Sequence, residues 1–360
     1  MSATYGKIFK ITIFGESHSE SIGVILDGIP SGLELDMDEI LKEMQRRAPG
    51  KNSFSTTRAE GDVPEIQSGY FEGKTTGTPL CAIIKNTNTR SKDYAPDLLR
   101  PSHADYSGKV RYNGYNDYRG GGHFSGRLTA TLVFAGAIAK QILKDYNVEI
   151  LSHIKNIGKV YDSKLDYVNP DANKLRAIKY NTLPLLDETK YESMENEILT
   201  AKSEADSVGG SVEIVGLGIP AGVGSPFFDS VESRISQILF SVPAVKSVEF
   251  GIGIAFNEMC GSTANDPFIL KDGKIATLTN NNGGINGGIT NGMPIVVSAG
   301  IKPTPSIGKE QNTVNIDEMK EIKMSICGRH DPCIVQRAVP VIESAVAIAI
   351  LDMILECKTY

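Results

Sequence analysis

The stretch RLTATLVFAGAIAKQIL, from Arg127 to Leu143, is apolar around most of the circumference of a helix. A second stretch of this kind, AVPVIESAVAIAILDMIL, runs from Ala338 to Leu355. A helix that is apolar on nearly every face belongs in the interior of a protein. Both stretches are therefore predicted to be central helices of one domain, packed between sheets. The small residues at positions 135 to 137 would allow another backbone to approach the first helix closely.

Neither stretch predicts a membrane span. Each is shorter than the roughly 20 residues that cross a bilayer, and the second carries Glu343 and Asp352. The first ten residues, MSATYGKIFK, also lack the apolar segment of a secretion signal. We expect a cytoplasmic protein with no membrane partner.

Composition limits the possible partners. The 360 residues are 41% hydrophobic and 22% charged, which is typical of a folded soluble protein. A net charge of −6 gives no general attraction for nucleic acid, so anions must be bound at a local site. Five cysteines without a C-x-x-C pair argue against a disulfide framework and against structural zinc. We expect neither a nucleic-acid partner nor a metal.

Alternating apolar segments predict strands before and between the two central helices. These segments are KIFKITIF (7–14), SIGVILDGIP (21–30), PEIQSGYF (64–71), TPLCAIIKN (78–86), GGSVEIVGLGIP (209–220), VKSVEFGIGI (245–254) and MPIVVSAGI (293–301). Further helices are predicted at 36–47, with Asp36 as N-cap and Glu39 as its reciprocal partner, and at 229–240. We expect one domain over 1–360, with a peripheral polar insertion at about 157–207 that carries an amphipathic helix at 188–202.

Each central helix follows a loop rich in glycine, arginine and histidine: YRGGGHFSGR (118–127) and CGRHDPCIVQR (327–337). A helix N-terminus has unpaired N–H groups and partial positive charge, so such loops can bind phosphate or carboxylate. Either loop alone could be an ordinary tight turn. Ten of the twelve arginines, however, lie in or beside glycine-rich, proline-rich or polar stretches. Since arginine grips oxyanions with two bonds, this placement favours a multiply anionic ligand over ordinary loop ion pairs.

The histidines have a similar distribution. His18, His103, His123 and His330 lie in loops, whereas His153 lies in a predicted strand. A histidine can exchange a proton near neutral pH, and a neighbouring carboxylate can orient it. Each one alone could be structural, but four together favour catalysis.

Two further loops could bind a ligand. NNNGGINGGITNG (280–292) could be a flexible linker or a backbone pocket for a flat ligand, because glycine permits close approach. The segment after Lys302, PTPSIGK, adds the hydroxyls of Thr304 and Ser306 as phosphate binders. The P-loop, the dinucleotide fingerprint and the G-x-S-x-G elbow are all absent.

Several motifs appear together in the order and spacing of the chorismate synthase family: FGESH, RPSHADY, DYRGGG, AGAIAK, NNNGGINGGITNG, KPTPSI, and GRHDPC followed by RAVPVIE. The chain resembles this family from about Tyr5 to Leu355, least between Ile157 and Ser207. The resemblance implies conversion of 5-enolpyruvylshikimate 3-phosphate to chorismate, a 1,4-elimination of phosphate that needs reduced FMN, with NADPH as a possible reductant. It also implies an α+β fold, a β-α-β sandwich of two antiparallel sheets enclosing long central helices, and a homotetramer.

The resemblance also implies roles for individual residues. His18 would assist departure of phosphate, His103 would lie beside the reduced flavin, and Asp331 would manage the proton of flavin N5. The expected substrate ligands are Arg47, Arg127 and Arg337. The expected flavin ligands are Ser17, His123, Phe124, Ser125, Ala244, Asn282, Gly283, Lys302, Pro303, Thr304, Pro305, Ser306 and Arg329.

One motif departs from the family pattern. The usual RGGGRSS-x-R-E-T-A reads RGGGHFSGRLTA here, so His123, Phe124 and Leu128 replace arginine, serine and glutamate. This change alters how the flavin phosphate or ring edge is held at that corner.

Two other classes of function are less favoured. A phosphotransferase or phosphatase would need a metal and a nucleotide motif, and the sequence has no P-loop. An RNA-binding module could use Tyr112, Tyr115 and Tyr118, but the net charge opposes it.

Overall fold

The structure is a computed structural model, and it describes residues 3–50, 61–87, 94–326 and 331–357. Its first sheet is antiparallel and has five strands. They are β1 (Thr4–Tyr5), β2 (Lys10–Gly15), β3 (Ser21–Asp27), β4 (Glu65–Ser68) and β7 (Leu80–Lys85). Their order across the sheet is β1-β2-β3-β7-β4. Four of the predicted strand segments lie in this sheet or its hairpin extension.

A second antiparallel sheet of five strands comes from the middle of the chain. It contains β8 (Glu149–Ile157), β9 (Val160–Tyr161), β10 (Gly210–Leu217), β11 (Val245–Phe250) and β16 (Ile295–Ile301). The order is β11-β16-β10-β8-β9. The predicted strands at 209–220, 245–254 and 293–301 are confirmed here, as is the strand position of His153.

Short hairpins extend from the two sheets. They pair β5 (Tyr70–Phe71) with β6 (Lys74–Thr75), β12 (Phe268–Lys271) with β13 (Lys274–Thr277), β14 (Ile285–Asn286) with β15 (Ile289–Thr290), and β17 (Gln311–Asn315) with β18 (Lys320–Met324). The helices are α1 (Met37–Arg47), α2 (Asp105–Arg111), α3 (Thr129–Lys144), α4 (Ala172–Ile178), α5 (Tyr191–Ser203), α6 (Val231–Ser241), α7 (Gly261–Ala264) and α8 (Val335–Cys357).

The two predicted central helices are α3 and α8, and they pack against each other. α3 contacts β3 of the first sheet and β8 of the second sheet, and α8 contacts β8 and β10 of the second sheet. Gly136 is where the two backbones meet, because a Cβ placed on it would lie 2.5 Å from Cα of Ser344. The predicted close approach at positions 135 to 137 is confirmed, and mixed helix and sheet content is observed as expected.

The start of α1 confirms half of the predicted capping. The Asp36 side chain accepts a hydrogen bond from Glu39 N–H at 2.9 Å, as an N-cap should. The predicted reciprocal bond, from the N–H of Asp36 to the Glu39 side chain, was wrong. The N–H of Asp36 donates to Gln141 Oε1 instead, at 3.0 Å, and Glu39 pairs with Lys144. Tertiary partners on α3 have replaced the local capping partner.

α8 is longer than its apolar sequence suggested. Its 23 residues make it, among the described residues, the one helix long and apolar enough to cross a membrane, yet 89% of its most apolar window is buried inside the chain. The expectation that it is too short to span was therefore wrong. Its charges are neutralised within the chain, because Glu343 pairs with Arg46 of α1, and Asp352 pairs with Arg234 of α6.

The segment 157–207 packs on the second sheet. Its predicted helix is α5, preceded by a 3₁₀ turn at Glu188–Lys190. Leu183, Leu185, Met194 and Ile198 are buried with the main core. Apolar packing thus attaches this segment to the rest of the chain.

A buried histidine fixes the same segment to the sheet. His153 of β8 lies between Asp162 (Nδ1 to Oδ2, 2.9 Å) and Glu213 of β10 (Nε2 to Oε2, 3.1 Å). Lys155 and Tyr167 also bind Glu213. Burial alone would lower the pKa of His153, but the hydrogen bonds to both carboxylates outweigh burial and raise it.

Gly136→Ala should destabilise the fold. The added methyl group would lie 2.1 Å from Ser344 Cβ in the interior, and overpacking of this kind costs about 1–3 kcal/mol. Urea unfolding measures the loss. Gly261→Ala in exposed α7 is the matched control, since its Cβ would have no neighbour within 4 Å. Equal midpoints for the two variants would contradict the close helix contact.

The stability contributed by His153 should decrease as pH rises. Because the folded pKa is raised, this contribution is complete below the unfolded value of about 6.5 and is lost as pH rises through the folded pKa. Below pH 6.5, the free energy of unfolding of His153→Asn should be lower than that of the unchanged chain. The difference between the two should become smaller as pH rises above 6.5. A His153→Asn curve parallel to that of the unchanged chain would exclude the charged pairing.

Candidate functional site

A cavity of about 880 Å³ lies where loops from several parts of the chain meet. Its wall includes the loop before α2, the loop before α3, the end of α6 and the segment after β16. The predicted site residues on this wall are Ser17, His103, His123, Phe124, Ser125, Ala244, Lys302, Thr304, Pro305 and Ser306. Residues up to 289 positions apart along the chain (306 − 17) thus meet at one cavity.

His103 joins two parts of this wall. Its Nδ1 lies 2.9 Å from the carbonyl oxygen of Pro101, which can only accept, so Nδ1 carries the proton. Its Nε2 lies 2.8 Å from Ser306 Oγ. Burial and the positive charge of Arg100 lower the pKa of His103 to about 4. His103 is therefore neutral at pH 7, and its Nε2 accepts the hydroxyl proton of Ser306.

His18 lies beside the cavity, in contact with wall residues. Its ring meets the ring of Tyr94 edge-on, with centroids 5.3 Å apart. On the other side it contacts Gly120, where an added Cβ would lie 2.3 Å from His18 Cε1. Since Tyr94 and Gly120 both line the cavity, the orientation of His18 is set by the wall.

Three successive glycines shape the loop before α3. Gly120, Gly121 and Gly122 have φ angles of 60°, 83° and 50°, a conformation that residues with a Cβ rarely adopt. The turn brings the Gly122 carbonyl to the N–H of Ser17, at 3.1 Å. His123 Nδ1 then donates to the Gly15 carbonyl at 2.9 Å. The loop is thereby held against the end of β2.

Lys302 occupies the opposite part of the wall. Its N–H donates to the carbonyl of Ala244 at 2.9 Å, and its Nζ donates to the carbonyl of Ser102 at 2.9 Å. Ala244 itself has a φ of 76°, which is unusual for a residue other than glycine. Thr304 Oγ1 is buried without a hydrogen-bond partner in the described part of the chain. A buried hydroxyl without a partner is costly, so a ligand would be its natural partner.

The predicted substrate arginines lie together, but none of them lines the cavity. Arg47 Nη1 pairs with Asp62 Oδ2 at 2.6 Å, and Arg127 pairs with the other oxygen of Asp62. Arg47 also donates to Thr129 Oγ1 and to the Gly126 carbonyl, both at 3.1 Å. The arginines therefore support the start of α3 from behind the cavity wall.

Arg337 completes this cluster and connects it to Asp331. Arg337 Nε donates to the Arg47 carbonyl at 3.0 Å, and Nη1 pairs with Asp331. Burial lowers the pKa of Arg47 to about 10. The negative charge of Asp62 opposes this shift, whereas the positive charges of Arg337 and Arg127 add to it. Asp331, like the arginines, is absent from the cavity wall.

Two backbone N–H groups of the Asn/Gly-rich stretch are bonded within the chain. The N–H groups of Asn281 and Asn282 both donate to the carboxylate of Asp266, at 2.7 and 2.9 Å. Gly283 packs against the backbone of Gly251. Neither Asn282 nor Gly283 lines the cavity. The Asp266 carboxylate thus holds the first turn of this stretch in place.

One other predicted flavin ligand also lies off the wall. Pro303 is exposed and does not line the cavity. Arg329 lies outside the described residues.

The tyrosines considered for RNA binding do not share a face. Tyr112 packs on Phe124 with ring centroids 6.1 Å apart, Tyr115 is 92% exposed, and Tyr118 lines the cavity. A shared stacking surface is therefore not formed.

Sequence reasoning missed Asp62, Asn86 and Tyr94. Asn86 Oδ1 accepts from Arg127 Nε at 2.9 Å, and its Nδ2 donates to the carbonyls of Glu16 and Ser19. It thereby connects the arginine cluster to the turn that carries His18. None of the three lies in a glycine-rich or histidine-containing motif, so no local pattern marks them.

Comparison with known proteins identifies the family. The sequence matches the family model for chorismate synthase over residues 9–355. The chain belongs to the chorismate synthase family. It is 45% identical over 357 residues to the chorismate synthase of Thermococcus kodakarensis, covering 99% of this chain and 98% of that one. It is 46% identical over 353 residues to that of Pyrococcus abyssi, covering 97% of each.

A solved structure agrees with this assignment. A crystal structure of chorismate synthase superposes with a TM-score of 0.75 at 29% identity, covering 98% of this chain and 93% of that one. The family resemblance inferred from the motifs is confirmed.

Asp62→Asn should strongly destabilise the protein. It would leave the buried cations of Arg47 and Arg127 without their carboxylate, and breaking a buried pair in this way costs about 3–5 kcal/mol. Urea unfolding at pH 7 measures the change. Asp206→Asn is the control, because its partner Lys309 is exposed and such pairs contribute about 0–1 kcal/mol. A small change for Asp62→Asn would show that the cluster does not depend on this carboxylate.

Proposed function

We infer that this protein is a chorismate synthase. It converts 5-enolpyruvylshikimate 3-phosphate to chorismate and phosphate by a 1,4-elimination that depends on reduced FMN. The family match carries this conclusion, since it spans residues 9–355. The convergence of ten predicted site residues on one cavity supports it independently.

The cavity fits a flavin. At about 880 Å³ it has the volume of an ordinary cofactor site, which ranges over roughly 300–1,000 Å³. Phe124 and Tyr118 provide aromatic walls, and the backbone of Gly120 and Gly121 permits close approach. The buried hydroxyl of Thr304 has no hydrogen-bond partner among the described residues, and a ligand would supply one. Reduced FMN, when bound, supplies the electron-rich ring that the family needs for the elimination without net redox change.

The histidines are proposed to act as a proton donor and a neutral hydrogen-bonding group. His18, held by Tyr94 and Gly120, protonates the departing phosphate. His103 is neutral because its pKa is about 4, so it hydrogen-bonds beside the reduced flavin without adding positive charge. Ser17 and Ser125 complete this part of the cavity wall.

The arginine cluster is proposed to attract the anionic substrate. Arg47, Arg127 and Arg337 face two carboxylates, those of Asp62 and Asp331, which leaves one positive charge in excess (3 − 2 = 1). The substrate carries a phosphate and two carboxylates, so this excess favours its binding. Asp331, paired with Arg337, remains our candidate for managing the proton at flavin N5.

Several wider features are proposed with this function. The fold is a β-α-β sandwich with α3 and α8 between the two sheets, as their contacts suggest. We propose one domain over 1–360 with an insertion at 157–207, a cytoplasmic homotetramer, and NADPH as a possible reductant of the flavin.

An anaerobic assay tests the function directly. With photoreduced FMN, the protein should release chorismate and phosphate in equal amounts from 5-enolpyruvylshikimate 3-phosphate. Oxidised FMN alone should support no turnover. Adding NADPH in place of light tests whether the protein reduces its own flavin. Absence of turnover with photoreduced FMN would refute the function.

In the same assay, His18→Ala should lower turnover about 10²-fold or more, the usual contribution of a positioned proton-transfer group. His103→Ala should also lower turnover, because it removes the neutral hydrogen-bonding group and its contact with Ser306. Circular dichroism should show both variants folded. Because His103 becomes protonated only near pH 4, its protonation should not lower activity near pH 6.5. Lys309→Gln is the control, because Lys309 does not line the cavity. Normal turnover in either histidine variant would contradict its role.

A further inference from the structure

The side chain of Asn86 lies at the end of β7, next to the turn that carries His18. The Asn86 N–H donates to the Glu20 carbonyl at 3.0 Å, which continues the pairing of β7 with β3 one residue past Lys85. This extension of the sheet brings the Asn86 amide into contact with the turn and with Arg127.

The turn from Glu16 to Ser19 is closed by its own hydrogen bonds. The Ser19 N–H donates to the Glu16 carbonyl at 3.2 Å, and the Glu16 N–H donates to Ser19 Oγ at 3.0 Å. His18 lies inside this closed turn. The position of its backbone is therefore tied to the position of the whole turn.

The Asn86 amide binds both ends of the turn. Its Nδ2 donates one hydrogen to the Glu16 carbonyl at 3.0 Å and the other to the Ser19 carbonyl at 2.8 Å. Its Oδ1 accepts from Arg127 Nε at 2.9 Å. Carbonyls only accept and a guanidinium only donates, so these three partners permit one orientation of the amide. One side chain thus fixes the turn of His18 relative to Arg127.

A shift of this turn would move the imidazole of His18. The ring contacts Tyr94 and Gly120, which line the cavity, so its place along the wall depends on where the turn is held. A displacement of about 1 Å can lower a rate about 10²-fold, because the reacting atoms no longer meet at the required distance.

We propose that Asn86 is a positioning residue for the reaction, holding the turn so that His18 reaches the departing phosphate. The role of His18 rests on the proposed function, whereas its placement rests on the three hydrogen bonds of Asn86. Asn86 itself does not line the cavity, so its effect on the reaction passes through His18.

Asn86→Asp removes the two donated hydrogens and keeps an acceptor for Arg127. The new carboxylate oxygen would face two carbonyl oxygens and repel the turn. In the anaerobic assay, kcat should fall about 10-fold to 10²-fold. The KM for 5-enolpyruvylshikimate 3-phosphate should change little, because Arg127 keeps its partners. Asn86→Leu, which adds no charge, should also lower kcat, so that the lost donors rather than the added charge are responsible.

Asn156→Asp is the matched control. Asn156 is half-buried like Asn86, and its Nδ2 donates to the Gly158 carbonyl at 2.9 Å, but it does not line the cavity. This variant should keep the kcat of the unchanged protein, and urea unfolding should show how much stability each variant loses. An equal fall of kcat in Asn86→Asp and Asn156→Asp would overturn the positioning role.

Combining substitutions tests whether Asn86 acts through His18. If it does, the kcat of the double variant His18→Ala with Asn86→Asp should equal that of His18→Ala alone, because the group being positioned is already absent. Losses that multiply in the double variant would show that Asn86 acts in another way, and the proposal would fail.

Nuclear magnetic resonance tests the placement without any turnover. The Cε1–H resonance of His18, identified by its loss in His18→Ala, is sensitive to the Tyr94 ring 5.3 Å away. It should shift in Asn86→Asp and in Asn86→Leu but not in Asn156→Asp. If the protein released no chorismate, the proposed function would fail, and this measurement would still decide the placement. An unchanged resonance in both Asn86 variants would overturn it.

Discussion

The fold depends on the contact between Gly136 of α3 and Ser344 of α8. Two helices that are apolar on nearly every face must bury all of those faces, and they can pack directly together only if side chains at the crossing are small. A Cβ at Gly136 would lie within 2.5 Å of the Ser344 backbone. The packed pair contacts both sheets, since α3 contacts β3 of the first sheet and β8 of the second, and α8 contacts β8 and β10 of the second sheet.

This arrangement also determines where the site can form. The loop before α3 meets the turn that carries His18, and the arginine cluster supports both from behind. Asn86 and Asp62 act as side-chain connections between segments that are distant in sequence. The cavity wall therefore includes loops from several parts of the chain, and buried polar contacts hold the loop before α3. Such contacts are costly to leave incomplete, which keeps the wall in one conformation.

The sequence predicted what local patterns determine. Apolar periodicity predicted α3, α8 and the main strands, and the motifs predicted ten residues of the cavity wall. Prediction from local patterns failed where a residue distant in sequence takes the hydrogen bond expected for a local one. Glu39 was expected to cap Asp36, but Gln141 binds that N–H. In the Asn/Gly-rich stretch, the N–H groups of Asn281 and Asn282 bind the carboxylate of Asp266, which lies 15 and 16 positions earlier. No period or spacing identifies such partners, because they depend on the assembled fold.

One carboxylate has a consequence for the order of assembly. Asp352 near the end of α8 accepts the backbone N–H groups of Lys7, Ile8 and Phe9, the last at 2.8 Å. The turn that leads into β2 is thus completed by a residue more than 340 positions later. During synthesis, those amides must wait for almost the whole polypeptide to emerge, and closing so long a loop is slow. The earliest strands are therefore exposed to non-native association longest.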